Sequence, residues 1–301
     1  MRLIREVPKE KQNNKLYWRA IIVTILGNAL LFTMKGIAAY YTDSAALYSD
    51  AANSAADVVY SLMMMLGLWI AMKPPDLSHP QGHSRFEPLV GVAVAVSMAF
   101  AGYEAASTSF VRFQSGGLAV EPGLPSIVLL ASAFVKAGMF FFISSIAKRV
   151  GSPSLEVTAL DNFSDILTSF AAFVGIILSS LWHPLADPIA GLLVAAWILK
   201  AAVGAVIENL GYLTGAAAED NLRLKFIQAA ESIPGVIGVH HIMTEYVGPK
   251  VVVDMHINVN GDLPLKESHQ INDDVIRTLE AMPEIDRAYV HLEPHDWDEE
   301  A

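Results

Sequence analysis

The 301 residues predict a membrane all-α bundle of six transmembrane helices over 1–208, then a small α+β domain ordered α-β-β-α-β over 209–301. Three observations carry this. Hydrophobic residues make up 53% of the chain, too many for an ordinary soluble protein. Six apolar runs of roughly 20 residues or more, the length that spans a bilayer, fill the first two-thirds. Charge is also partitioned. Residues 1–208 hold 14 Lys and Arg against 14 Asp and Glu, while 209–301 hold 6 against 17, so the whole net charge of −11 lies where the apolar runs stop.

The runs are approximately Trp18–Tyr40, Ser44–Met72, Pro88–Phe113, Pro125–Ile146, Ser154–Leu181 and Pro188–Ile207. Arg2, Arg5, Lys9, Lys11, Lys15 and Arg19 precede or open the first. It is too long for a cleaved signal and has no small-residue cleavage pattern, so it reads as a retained span. Turn chemistry separates the runs at Thr42-Asp43-Ser44, Lys73-Pro74-Pro75-Asp76, Gly116-Gly117, Gly151-Ser152-Pro153 and His183-Pro184. With six spans, the N-terminus and the loops bearing Lys73 with Arg85 and Lys148 with Arg149 share one side. The loops around Asp43, Gln114–Gly123 and Trp182–Ala186 are almost free of basic residues, so both termini are expected in the cytoplasm.

After Glu208 the pattern changes. Ala218–Ser232 has Leu222, Phe226, Ile227 and Ala230 on one side, as an amphipathic helix does. Val236–Val247 and Lys250–Val259 read as strands turning at Gly248-Pro249. Lys266–Met282 is helical again and Ile285–Leu292 is a third strand. A sheet with its helices on one face is the economical packing for this order.

Some classes are excluded. The absence of cysteine removes disulfides and thiolate metal sites. The acidic terminal domain lacks the basic footprint of a nucleic-acid binder. Its charge reads equally as solubility or as attraction of cations.

Three groups of polar residues stand out. Asp50, Asn53 and Asp57 in the second run are spaced i, i+3, i+7, and Asp161 and Asp165 in the fifth are spaced i, i+4. On helices each set shares one face, and carboxylates at bilayer depth normally face a partner, a cavity or an ion. Asn53, Asp57, Asp161 and Asp165 offer only oxygen, which suits Mn²⁺, Fe²⁺ or Mg²⁺ better than Zn²⁺. The alternative is hydrogen bonding between helices. Asp50 shares the face one turn earlier and reads as a neighbour of the site or part of its pathway.

The second group is Asp76, His79 and His83, where Pro80 and Gly82 argue for a loop. An Asp-His-His cluster suits a borderline metal; the alternative is a solvated loop with incidental histidines. The third is His240, His256, His269, His291 and Glu293, which fall on two strands, a helix and the last strand. His241 is expected on the opposite face of its strand from His240.

Taken together, these stretches resemble the cation diffusion facilitator family of metal/proton antiporters over essentially the whole chain. The resemblance rests on Asp50-Ala51-Ala52-Asn53-Ser54-Ala55-Ala56-Asp57, on His79-Pro80-Gln81-Gly82-His83, on Ala159-Leu160-Asp161-Asn162-Phe163-Ser164-Asp165, and on the His-bearing terminal domain. It implies a homodimer in the lipid bilayer of the inner (plasma) membrane, with cytoplasmic ferredoxin-like domains packed together. It also implies export of a divalent metal from the cytoplasm in exchange for protons, with metal acting as both substrate and regulator. By motif, Asn53, Asp57, Asp161 and Asp165 fall at the family's transport site, and Asp76, His79 and His83 at its loop site. His240, His256, His269, His291 and Glu293 fall at its domain-interface cluster.

Zinc members of that family usually carry His or Asp at the position of Asn53 and His at that of Asp161. The Asn and Asp found here are what manganese-type members tend to carry, in agreement with ligand hardness. Mn²⁺ is therefore the expected cargo, with Fe²⁺, Co²⁺ or Zn²⁺ as alternatives. A non-transporting membrane-anchored metal sensor or assembly partner is the competing reading. No HExxH motif or nucleophile–base arrangement is present, so an enzyme is not expected.

Overall fold

The computed structural model describes residues 14–42, 45–117 and 124–295. Arg2, Arg5, Lys9 and Lys11, the Asp43-Ser44 separator and residues 118–123 of the Gln114–Gly123 loop lie outside the described residues. The chain divides into two compact units, Met1–Leu210 and Gly211–Ala301.

The first unit is built from α1 (Asn14–Thr42), α2 (Ala45–Ala71), α3 (Phe86–Gln114), α4 (Leu124–Val150), α5 (Pro153–Leu181) and α6 (Ala186–Thr214). Helices of this length run roughly 40 Å at 1.5 Å per residue, which exceeds the hydrocarbon core of a bilayer. All six contain a stretch long and apolar enough to cross a membrane. The last of them runs past the end of its apolar run to Thr214, and Gly215, at φ 74°, follows it.

Polarity in this unit is the reverse of a water-soluble protein. Leu26, Leu30, Phe134, Phe141 and Leu193 lie exposed on the outside. Asn28, Lys35, Ser61, Lys136 and Asn162 are buried within. Such a surface is a liability in water and an ordinary one in lipid. Packing inside is close. A Cβ added to Gly91 of α3 would lie 2.1 Å from Oδ1 of Asn209 on α6, so any larger residue there must displace the Asn209 amide.

The α4–α5 turn is only Gly151-Ser152, so the two helices run antiparallel side by side. Gly151 takes φ 63°, and Ser152 caps α5 by accepting the Leu155 amide at 3.2 Å, with Pro153 in the first helical turn. Ser152 also donates to the buried carboxylate of Glu87 on α3, which accepts from Tyr17 of α1 at 3.1 Å and from Ser154 at 3.3 Å. This knot ties one end of three helices together.

The second unit contains α7 (Asp220–Glu231), β1 (Gly238–Val247), β2 (Lys250–Val259), α8 (Leu265–Glu280) and β3 (Ile285–Pro294). The sheet order is β1-β2-β3, antiparallel then parallel, with the α8 crossover joining the parallel pair. Gly248, at φ 66°, makes the hairpin turn. Burial along β2 alternates residue by residue. Val251, Val253, Met255, Ile257 and Val259 face a core shared with Phe226, Val275 and Leu279 of the two helices. His256 and Asn258 therefore stand on the other face.

Candidate metal centres

Within the first unit, α2 brings Asp50, Asn53 and Asp57, and α5 brings Asp161 and Asp165. Asp50, Asn53, Asp161 and Asp165 line a cavity of about 360 Å³ with Glu104 of α3 and Asp187 of α6. Asp57 and Asp161 line a smaller one of about 20 Å³, beside Asn28, Ser61 and Asn162. Asp161 borders both. Asn28 donates to Ser61 Oγ at 2.8 Å, and Ser61 donates to the Asp57 carbonyl at 2.6 Å, which fixes the helix segment that carries Asp57.

Two of these carboxylates meet on a cation. Lys136 of α4 stands between them, its Nζ donating to Asp57 Oδ2 at 3.2 Å and pairing with Asp165 Oδ2 at 2.6 Å. It is 4% exposed. On α1, Lys35 Nζ donates to Asp50 Oδ1 at 2.7 Å. Sequence reasoning missed both lysines, although the signal was present: a lone cation inside an apolar run needs a counter-charge.

The loop after α2 brings Asp76, His79 and His83 together, with one ligand atom of each within 4.8 Å of the others. The loop is shaped by Asp76 itself, whose Oδ1 accepts the amides of Ser78 at 2.9 Å and His79 at 2.7 Å. Those contacts hold its pKa below the ordinary carboxylate value, chiefly through the His79 amide. Gly82, at φ 104°, lets the chain turn back so that the His79 and His83 rings lie 4.5 Å apart. His83 is buried and Asp76 exposed.

On the open face of the sheet, strand register does the gathering. His256 pairs across from His291, and Asn258 from Glu293. Glu293 Oε1 lies 2.9 Å from His256 Nδ1, and its Oε2 lies 3.1 Å from His240 Nε2. Ligands of a tetrahedral ion with bonds of about 2.0 Å stand roughly 3.3 Å apart, so these atoms need little movement to share one. His291 Nε2 is 3.6 Å from Glu293 Oε1. Asn258 Oδ1 holds His240 Nδ1 at 2.9 Å, an orienting contact that sequence reasoning also missed.

One expectation needs amendment, and one residue of the third group stands apart within the single chain. His241 does not take the far face: a bulge between Val239 and His241 leaves His240 as the extra residue, and His241 pairs directly with His256. Its ring lies 4.9 Å from that of His256. His269 is not drawn into the cluster; on α8 it stands 3.7 Å from Asp273. Among the described residues, the groups of three or more candidate ligands that converge are Asp76, His79 and His83, and His240, His256 and Glu293.

Residues 21–214 match the family described as the cation efflux transmembrane domain, and 219–295 that described as the cation efflux protein, cytoplasmic domain. An uncharacterised transporter of Methanocaldococcus jannaschii is 35% identical over 91% of this chain and 97% of its own. The manganese efflux system protein MneS of Bacillus subtilis is 29% identical over 91% of this chain and 94% of its own. A cadmium form of the MamM C-terminal domain, 27% identical, covers 26% of this chain and 98% of its own, with a TM-score of 0.25.

Proposed function

This chain belongs to the cation efflux family and is a multi-pass divalent-cation efflux transporter; we propose that its cargo is Mn²⁺ and that protons move the opposite way. The observation that carries the reading is the donor set. Asn53, Asp57, Asp161 and Asp165 border two adjoining cavities between helices, and among the described residues no imidazole lines either. An all-oxygen set of this kind favours a hard or borderline cation. The manganese efflux protein among the relatives supports the same cargo.

In this reading Asp57, Asp161 and Asp165 take the metal from the cytoplasmic side, Asn53 adds a neutral oxygen, and the carboxylates carry protons on return. Asp50, beside the larger cavity, lies on the pathway. Asp76, His79 and His83 form a loop site. His240, His256, His291 and Glu293 form a regulatory site on the terminal domain, with His269 supplied across a homodimer interface. Both termini lie in the cytoplasm and the bilayer is the plasma membrane. Metal held between terminal domains would bias the dimer toward one packing by differential affinity.

Purified protein in proteoliposomes, offered Mn²⁺, Fe²⁺, Co²⁺, Zn²⁺ and Cd²⁺ against an opposing proton gradient, tests this. Mn²⁺ uptake that collapses when the proton gradient is dissipated is the expected result. Preference for Zn²⁺ overturns the cargo, and flux indifferent to the gradient overturns the coupling. Metal binding with no flux at all makes the chain a sensor or assembly partner.

A further inference from the structure

Lys136 stands between Asp57 and Asp165 and, as an ammonium, offers a metal no lone pair. It reaches in from a third helix, α4, while the oxygen donors come from α2 and α5. Its ammonium contacts Asp57 Oδ2 at 3.2 Å and Asp165 Oδ2 at 2.6 Å. Stability alone gives little reason for it, since an apolar side chain in place of a buried ion network often serves a fold as well.

We propose that Lys136 is a tethered competitor for the transported cation: its ammonium and the metal take turns on the Asp57 and Asp165 carboxylates. The inference rests on the reading that those two carboxylates hold the cargo. Divalent ions of the first transition row bond to carboxylate oxygens at about 2.0–2.2 Å, so a metal held by both would occupy the space the ammonium fills. Lysine is suited to the exchange. Its charge sits on a flexible four-carbon stem, so Nζ withdraws by rotamer change without moving the helix.

Two consequences follow for transport. Metal binding must break both ion pairs and leave a like charge nearby, which weakens the bound state. Metal release is helped, because the returning ammonium compensates carboxylates that would otherwise stand bare in a poorly solvated interior. A carrier site must bind its ion well enough to load and loosely enough to unload. Lys35 on Asp50 follows the same pattern along the α2 face.

The test is Mn²⁺ binding by full-length protein in nanodiscs, read from the loss of the free-ion electron spin resonance signal. Binding at the intramembrane site is defined as the component lost on Asp161→Ala. Lys136→Met is expected to lower the Kd for that component by on the order of tenfold or more, because it removes a like charge a few ångströms away. It is also expected to slow Mn²⁺ release. Lys136→Arg, which keeps the charge, is expected to stay within about threefold of wild type. Where Lys136→Met fails to fold, Lys136→Gln carries the same expectation. An unchanged or higher Kd in the neutral variant overturns the proposal. Failure of the underlying reading looks different: Mn²⁺ binding that survives both Asp57→Asn and Asp165→Asn removes the cargo site itself.

Discussion

The oxygen donors of the bundle and the imidazole cluster of the sheet use opposite designs. On the sheet, His240, His256 and Glu293 already hold one another at 2.9 and 3.1 Å, set by strand register and a bulge. In the bundle, Asp57 and Asp165 are already engaged, both paired with one ammonium ion. A preassembled cluster loses little freedom on taking a metal and holds it tightly. A site whose ligands are already engaged must exchange partners, so it binds less tightly and empties more readily. The first design suits an ion that stays, the second an ion that passes through.

The largest effect that would break this contrast lies in the bundle. Asp57→Ala removes one proposed ligand and one of the two carboxylates paired with Lys136, so Mn²⁺ flux into proteoliposomes should fall to the protein-free background. Metal binding by the sheet cluster should survive, as Zn²⁺ titration of the same variant would show. Residual flux above about a tenth of wild type would mean that Asp57 is not a ligand. Next in size is His256→Ala, which removes the imidazole that touches Glu293 and flanks three other histidines. Zn²⁺ affinity at that cluster should drop by on the order of 100-fold. A drop under about threefold would show that the gathered atoms are not a metal site.

A smaller change would sharpen the contrast by altering only donor chemistry. Asn53→His and Asp161→His each place an imidazole beside the larger cavity, and nitrogen favours Zn²⁺ over Mn²⁺. The ratio of Zn²⁺ to Mn²⁺ transport should rise by roughly tenfold in each variant relative to wild type. An unaltered ratio would mean that the first ligands do not select the ion.

How much of this the sequence reveals differs between the units for physical reasons. Hydropathy marks all six long helices because lipid demands continuous apolar surface, and alternation along Lys250–Val259 gives β2 its boundaries. Helical spacing puts Asp50, Asn53 and Asp57 on one face. It says nothing of which neighbouring helix answers them, so the pairing of Lys136 with Asp57 and Asp165 and of Lys35 with Asp50 emerges only from packing. Strict alternation misplaces His241 because it fails at a bulge, and a bulge is a property of two paired strands. Hydropathy ends the sixth apolar run at Ile207, whereas the helix itself is set by backbone hydrogen bonding and runs on to Thr214, with the turn at Gly215.

The smallest effect concerns the loop site, which sits between the two designs: its ligands converge, yet Asp76 is committed to the backbone. The pKa of Asp76 is lowered, first by the His79 amide, then by the Ser78 amide and the neighbouring imidazoles. A carboxylate depressed below its unfolded value, about 3.9, stabilises its turn at all pH above that value and loses the effect as pH falls through the folded one. Between about pH 7 and 5 the turn should therefore stay intact, and amide exchange at Ser78 and His79, corrected for intrinsic rates, should change by less than about twofold. Asp76→Asn keeps an oxygen to accept both amides but removes the negative ligand. It should preserve that protection while weakening metal binding at the loop by about tenfold. Protection lost in Asp76→Asn at neutral pH would mean that charge, not the acceptor geometry, holds the loop, and the site would then be as labile as the one in the bundle.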